Sequence, residues 1–527
     1  MNRRDLLVIG AMALSGVLMA LVFAPFEMTD AAWCALVPLL IASAYIRPNL
    51  AWRAGWFAGV LFWLITMYWL TRVTYFGWML LCLYCALYFI PVVLVSSWWF
   101  RTYGVGRFLM NAAYMVVITA TWVAFEYFRM TLFTGFPWNP LGAGLHANIA
   151  FLQHASWGGV YVLSGLLVWT NAAIALTILR YMKHHAKLGR KPHPELMMGM
   201  AMVVVAFVTG GRMARDVEIV GREMRIALVQ TSIPQDQKWT FDTVDLIYER
   251  LRDLTAGAVT WTSPDLVVWP ETAVPDDVRL SETSYDLVDA LSRLGSPILV
   301  GSMDAAARPN QKPLYYNCSF LFDTNGVIIG AYEKRHLVLF GEYIPFHEHI
   351  RLITARTPIM ESFSPGSTST VFRLPGKNIP FSSLICFEDT LPYLARASVR
   401  NGARLLINQT NDAWFDPSAA SRQHMVLSVI RTAENRVPMV RSANTGYTCS
   451  IDARGQVREI LLDADGRHDG PGFRLVTVQV PPDHMPLTFY TRYGDVLAWA
   501  CLPIGLLFWL AAIRANRTTR QSMVSTH

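Results

Sequence analysis

A chain of 527 residues that is 53% hydrophobic and only 16% charged, with a mean hydropathy of +0.31, is too apolar for an ordinary soluble domain. Its net charge of +7 does not indicate a nucleic-acid partner, because much of the basic excess sits in short loops and a tail beside apolar stretches, where membrane topology accounts for it. Seven cysteines, four of them inside apolar stretches, do not form a disulfide framework pattern.

In chain order, apolar stretches near Leu6–Phe23, Ala31–Tyr45, Ala54–Trp69, Trp78–Trp99, Leu109–Phe125, Gly158–Leu179, Met197–Val208 and Val496–Ile513 predict eight membrane spans, the second and seventh being short. Arg3 and Arg4, Arg47 and Arg53, Arg101 and Arg107, the run Lys183 to Lys191, and Arg514 to Arg520 fall on one side of that arrangement. Lysine and arginine beside spans favour the cytoplasmic face, so both termini are expected in the cytoplasm and the long segment between spans seven and eight outside it. The expected organisation is a membrane domain of seven helices over 1–220, an outer catalytic domain over 221–488, and a last helix with a basic tail over 489–527.

The outer segment changes character: charges and turn residues appear, and apolar runs shorten to strand length. Strands are predicted at Met224–Gln230, Asp265–Glu271, Ile298–Gly301, Tyr315–Asp323, Val327–Lys334, Phe381–Phe387, Ala403–Gln409, Tyr447–Asp452 and Leu475–Val480. Helices are predicted around Thr243–Leu254, Glu282–Leu294, Pro392–Asn401 and Ser421–Asn435. This alternation predicts an α/β domain with helices covering its sheets.

Three predicted strand ends finish on reactive groups: Glu271, Lys334 and Cys386. Each alone has a structural reading, as a solvated acid, a surface lysine or a core thiol. Together they supply complementary chemistry. A thiol needs a base before it attacks, and the attacked carbonyl needs positive charge where its oxyanion forms. Glu271 suits the base and proton carrier, Lys334 the oxyanion partner together with the backbone N–H of Phe387, and Cys386 the nucleophile. His336, two positions from Lys334, offers an imidazole, but Glu271 is the better base. His347-Glu348-His349 presents only two imidazoles on one face, and neither a metal nor a cofactor is expected.

Trp269-Pro270-Glu271-Thr272, then Tyr332-Glu333-Lys334-Arg335-His336-Leu337 with Gly341-Glu342-Tyr343-Ile344-Pro345, then Ile385-Cys386-Phe387-Glu388 resemble the three catalytic signatures of the nitrilase superfamily. With flanking spans and Gly135-Phe136-Pro137-Trp138, the resemblance narrows to the apolipoprotein N-acyltransferase family and covers essentially the whole chain. It implies a polytopic α-helical membrane domain of about eight spans plus a nitrilase-like α/β domain, an α-β-β-α sandwich.

The resemblance further implies that Cys386 takes a fatty acyl chain from a phospholipid, typically phosphatidylethanolamine, and passes it to the α-amine of a diacylglyceryl-modified cysteine opening an apolipoprotein. The implied setting is the bacterial inner membrane with the catalytic domain in the periplasm, and a monomer is expected. Glu342 and Glu388 match acids of the family pattern and would support the triad. Trp239 and Trp414 resemble its substrate-lining aromatics, although packing is the commoner role for an isolated tryptophan. Phe387 departs from the tyrosine expected after the nucleophile, which puts a side-chain contact in doubt. The alternative is a membrane-bound nitrilase-type amidase that resolves the thioester with water.

Overall fold

The computed structural model describes residues 2–188, 193–217, 221–238, 240–309, 311–343 and 362–524. Trp239 and His347-Glu348-His349 lie outside the described residues. The chain divides into two compact units, one formed by Met1–Asp216, Ser418–Gln423 and Tyr493–His527, the other by Val217–Pro417 and His424–Arg492.

The first unit is helical because its sequence is apolar over runs that leave no backbone polar group to water, and a helix satisfies those groups internally. Among the described residues, six helices, or runs of consecutive helices, are long and apolar enough to cross a membrane: Arg3–Leu21, Tyr75–Thr102, Phe108–Thr134, Val160–Lys183, Pro194–Asp216 and Val496–Arg517. The two remaining expected spans fall on Pro48–Thr66, a helix of 19 residues, and on Thr29–Ser43, a shorter apolar segment made of a 3₁₀ turn and a seven-residue helix. Close packing among these helices depends on small residues. A Cβ at Gly16 would lie 2.3 Å from the carbonyl oxygen of Ala58, so helix Arg3–Leu21 can approach Pro48–Thr66 only where a side chain is missing.

Among the described residues the second unit contains two six-stranded sheets. Its strands are β1 (Arg222–Gln230), β2 (Leu266–Val268), β3 (Ile298–Arg308), β4 (Gln311–Phe322), β5 (Ile328–Glu333), β6 (Phe372–Arg373), β7 (Pro380–Ile385), β8 (Leu405–Thr410), β9 (Met439–Ala443), β10 (Cys449–Ile451), β11 (Val457–Ile460) and β12 (Gly472–Val480). One sheet has the order β12-β1-β2-β3-β4-β5, the other β11-β10-β9-β8-β7-β6. The central strands β1, β2 and β3, and likewise β7, β8 and β9, run parallel, with antiparallel strands flanking each set.

Alternation along the strands builds three layers of core. Leu266 and Val268 of β2 point inward with Ile226, Phe381, Ile385 and Ile407 between the sheets. Val267 points outward with Val229 and Phe320, beneath helices Phe241–Thr262 and Glu282–Ser292. Leu384 and Leu406 face helix Pro392–Arg400 on the far side of the second sheet. The result is the α-β-β-α sandwich expected. The predicted strands are present, most within four residues of their expected bounds, but β3 runs on to Arg308, seven residues past the expected Gly301, and β6, β9 and β11 were not predicted. β9 reads Met439-Val-Arg-Ser-Ala443, and its central arginine and serine conceal a fully buried strand.

Polar side chains tie the two sheets together. Gln409 Nε2 donates to the carbonyl of Trp269 at 2.7 Å, Ser442 Oγ shares its one hydrogen between those of Val229 at 2.8 Å and Val268 at 3.1 Å, and the Ser319 and Ser383 hydroxyls meet at 2.8 Å. Buried groups of this kind must be paired, so they set the register of one sheet against the other.

Candidate active site

Glu271 follows β2, Lys334 follows β5, and both belong to the first sheet of the sandwich; Cys386 follows β7 of the second. The Trp269–Gln409 bond therefore holds the carboxylate's strand end against the strand next to the thiol's.

Two local features aim these groups. Thr272, directly after the carboxylate, has φ +42°, and the turn lies so close to β3 that a Cβ on Gly301 would meet the carbonyl oxygen of Pro270 at 2.1 Å. Gly301 is thus required by that approach. Cys386 itself has φ +51° and is the first residue of a 3₁₀ turn, Cys386–Thr390. The prediction of a strand through Phe387 is corrected here: β7 stops at Ile385, and the thiol sits on a sharp turn whose left-handed backbone an L side chain adopts only under strain.

Lys334 is 1% exposed, and its Nζ donates to Glu342 Oε1 at 2.8 Å and to Glu271 Oε1 at 3.3 Å. Asn317 of β4 bridges the same pair, its Nδ2 donating to Glu271 Oε1 at 2.8 Å and to Glu342 Oε1 at 3.2 Å. Burial pulls the Lys334 ammonium down, but the Glu342 and Glu271 carboxylates outweigh it and hold it well above the usual lysine range. Glu342 Oε2 accepts the backbone N–H of Val338 at 2.8 Å, which anchors it to its own loop.

Cys386 is partly buried. Burial, followed by the Glu271 carboxylate, pushes its thiol well above the ordinary range, and Lys334 offsets this only in part. At rest the sulfur therefore carries its proton and depends on a base to lose it.

Glu388, fully buried, faces the Cys386 turn, and its hydrogen bonds go there rather than to the ammonium. It accepts from the N–H groups of Arg335 at 2.7 Å, His336 at 3.1 Å and Ile385 at 2.8 Å, and from the Tyr332 hydroxyl at 2.7 Å. It pins the segment after Lys334 to the residue before Cys386. Phe387 stacks on His336 with centroids 5.9 Å apart, and His336 Nδ1 lies 2.9 Å from the Tyr393 hydroxyl. Burial, then Lys334, lowers His336 to about 4, so this imidazole is neutral. Trp414 is 43% exposed on the turn Asp412–Trp414, which rules out a core packing role.

Several residues near the three reactive groups were not predicted. Asn317 is one. Lys238 is another: buried, it donates to the Glu271 carbonyl at 3.1 Å and the Thr272 hydroxyl at 3.0 Å, and burial lowers it to about 8. Behind the thiol, Asp389, Asp412, His424 and Arg441 form a buried cluster of charges. A polar residue inside an otherwise apolar strand, as Asn317 is, was the one available signal.

Residues 15–173 match the apolipoprotein N-acyltransferase N-terminal domain, and residues 225–467 match the carbon-nitrogen hydrolase domain. The chain is 35% identical over 528 residues to an apolipoprotein N-acyltransferase of Geobacter metallireducens, covering 95% of this chain and 94% of the relative. It is 27% identical to one of Chlorobaculum tepidum over 95% and 96% of the two chains. Among solved structures it is similar to Saccharomyces cerevisiae Nit3, a member of branch 10 of the nitrilase superfamily, at 22% identity and TM-score 0.37, covering 50% of this chain and 92% of that one.

Proposed function

The chain belongs to the apolipoprotein N-acyltransferase family, and on that footing we propose that Cys386, Glu271 and Lys334 carry its acyl transfer through a thioester in two alternating half-reactions. The protein is a membrane acyltransferase of lipoproteins that draws on phospholipid. The observation that carries the residue assignment is Lys334, a buried ammonium held by Glu271 and Glu342, in electrostatic reach of a thiol that burial keeps protonated.

In the first half-reaction Glu271 takes the thiol proton as sulfur attacks the ester carbonyl of the phospholipid. The Lys334 ammonium, with the N–H of Phe387, balances the oxyanion of the tetrahedral intermediate. Collapse breaks the acyl–oxygen bond, and Glu271 returns the proton to the departing lysophospholipid oxygen. In the second, the neutral α-amine of a diacylglyceryl-cysteine attacks the thioester, Glu271 takes a proton from that nitrogen, and sulfur leaves as the amide forms. The proton then returns to sulfur, which restores the starting state.

Phosphatidylethanolamine is the proposed donor, a monomer the proposed working form, and Trp414 and Trp239 the proposed substrate contacts. The basic loops support eight spans in a bacterial inner membrane with both termini cytoplasmic, seven of the spans within 1–220, and a periplasmic catalytic domain over 221–488.

Incubation with labelled phosphatidylethanolamine, followed by mass spectrometry of the peptide bearing Cys386, is expected to find an acyl adduct that is absent in Cys386→Ala. Adding a diacylglyceryl peptide should consume the adduct and give N-acylated peptide. Free fatty acid as the sole product would instead establish the hydrolase alternative.

A further inference from the structure

We propose that Asn408 is a positioning residue for the acyl transfer, its side-chain amide holding the Cys386–Phe387 peptide so that the Phe387 N–H meets the oxyanion. This deepens the thioester reading above and rests on it.

Asn408 lies on β8, fully buried and in register with Leu384 of β7. Its Nδ2 donates to the carbonyl of Leu384 at 3.1 Å and to that of Cys386 at 3.0 Å. Both carbonyls can only accept, so the NH2 end of the amide must face them, and its two hydrogens serve one carbonyl each. The first contact reinforces the strand; the second lies beyond it. Pairing of β7 with β8 ends at Ile385 and Gln409, and the chain then turns at Cys386 with φ +51°. From there the ladder no longer sets the orientation of the next peptide, and the Asn408 side chain takes over.

That next peptide carries the proposed oxyanion donor. Its carbonyl belongs to Cys386 and its N–H to Phe387, and in a planar trans unit the two point in opposite directions. A donor that fixes the carbonyl therefore aims the N–H, and rotating the plane breaks the Asn408 bond. Glu388 grips the other side of the thiol, accepting the Ile385 N–H at 2.8 Å. With the peptides before and after it both held, Cys386 keeps its left-handed backbone.

The same contact acts on strength as well as direction. An amide whose carbonyl accepts a hydrogen bond is polarised, and its N–H becomes a better donor. Asn408 is neutral, so it does this without bringing a charge that would help or hinder thiolate formation. Its effect is thus confined to reactions that build charge on a carbonyl oxygen.

The test compares two reactions of Cys386 in the full-length protein in detergent, each followed on the Cys386 peptide by mass spectrometry. One is acylation by saturating labelled phosphatidylethanolamine; the other is alkylation by iodoacetamide, which breaks a carbon–iodine bond and places no charge on oxygen. Asn408→Leu, which removes both donors, is expected to slow acylation about tenfold, while alkylation and the half-saturating phospholipid concentration stay within about twofold of wild type. Equal losses in both reactions would show that the residue supports only the fold around the thiol, and unchanged acylation that it has no part in the transfer. Either result overturns the proposal. Should the leucine variant not fold, Asn408→Ala removes the amide without adding bulk and must show the same separation of acylation from alkylation; without it the proposal fails. A wild type that is alkylated but never acylated would instead sink the thioester reading, and this proposal with it, so the two failures are told apart.

Discussion

Glu342 holds the Lys334 ammonium at 2.8 Å, closer than the 3.3 Å that separates the same nitrogen from Glu271. The division of labour follows from those distances. In the proposed mechanism Glu342 keeps the lysine charged, which leaves Glu271 able to gain and lose a proton without discharging its neighbour. Glu342→Gln is expected to lower kcat by about 10²-fold with little change in KM, because the lost stabilisation belongs to the transition state. Steady-state kinetics with a diacylglyceryl peptide would check this, and a purely raised KM would contradict it.

In the proposed mechanism Glu388 acts as a positioning residue. Its oxygens accept from Arg335, His336, Ile385 and Tyr332, and a glutamine would turn an N–H against backbone donors. Glu388→Gln should destabilise the catalytic domain by about 2–4 kcal/mol and remove Cys386 acylation. Thermal unfolding in detergent, compared with wild type, reads the first effect, and an unchanged midpoint would refute it.

The His424 cluster makes stability depend on pH. Burial opposes charge on the ring, but Asp389 and Asp412 outweigh it, and Arg441 does not reverse them, so His424 rises from 6.5 to about 9. A group whose folded value exceeds its unfolded one stabilises fully below the unfolded value and loses that contribution as pH rises through the folded one. Between 6.5 and about 9 the folded state binds the extra proton, and about 3 kcal/mol is lost across that window. The unfolding temperature is expected to fall over this range, and the slope to flatten in His424→Asn. Parallel slopes would show that other groups are responsible.

In the helical unit, Gln423 plays a comparable part. Its Oε1 accepts from Trp69 Nε1 at 3.1 Å, Trp138 Nε1 at 2.7 Å and Asn139 Nδ2 at 3.2 Å, and its Nε2 donates to the carbonyls of Ala24 at 2.7 Å and Thr66 at 3.1 Å. Gln423→Ala should cost about 3–5 kcal/mol, because buried donors and acceptors lose partners together. Gln423→Glu is expected to fare no better, since it exchanges the donor for a buried charge. Aggregation on heating in detergent measures both.

The apolar runs, the strand and helix periodicities and the three short segments around Glu271, Lys334 and Cys386 could all be read along the chain, because each is a local pattern of a few neighbouring residues. Glu342 and Glu388 were legible as acids of a familiar segment, but their different tasks were not. What bonds to what across the sandwich depended on folding. Asn317 reaches Glu271 from 46 positions away, and Gln409 reaches Trp269 from 140. The left-handed turn at Cys386 looked like the end of a strand, since apolar residues precede it and nothing in the composition marks φ +51°. Asp412, His424 and Arg441 read as ordinary polar residues until burial removed water and set them against one another and against Asp389.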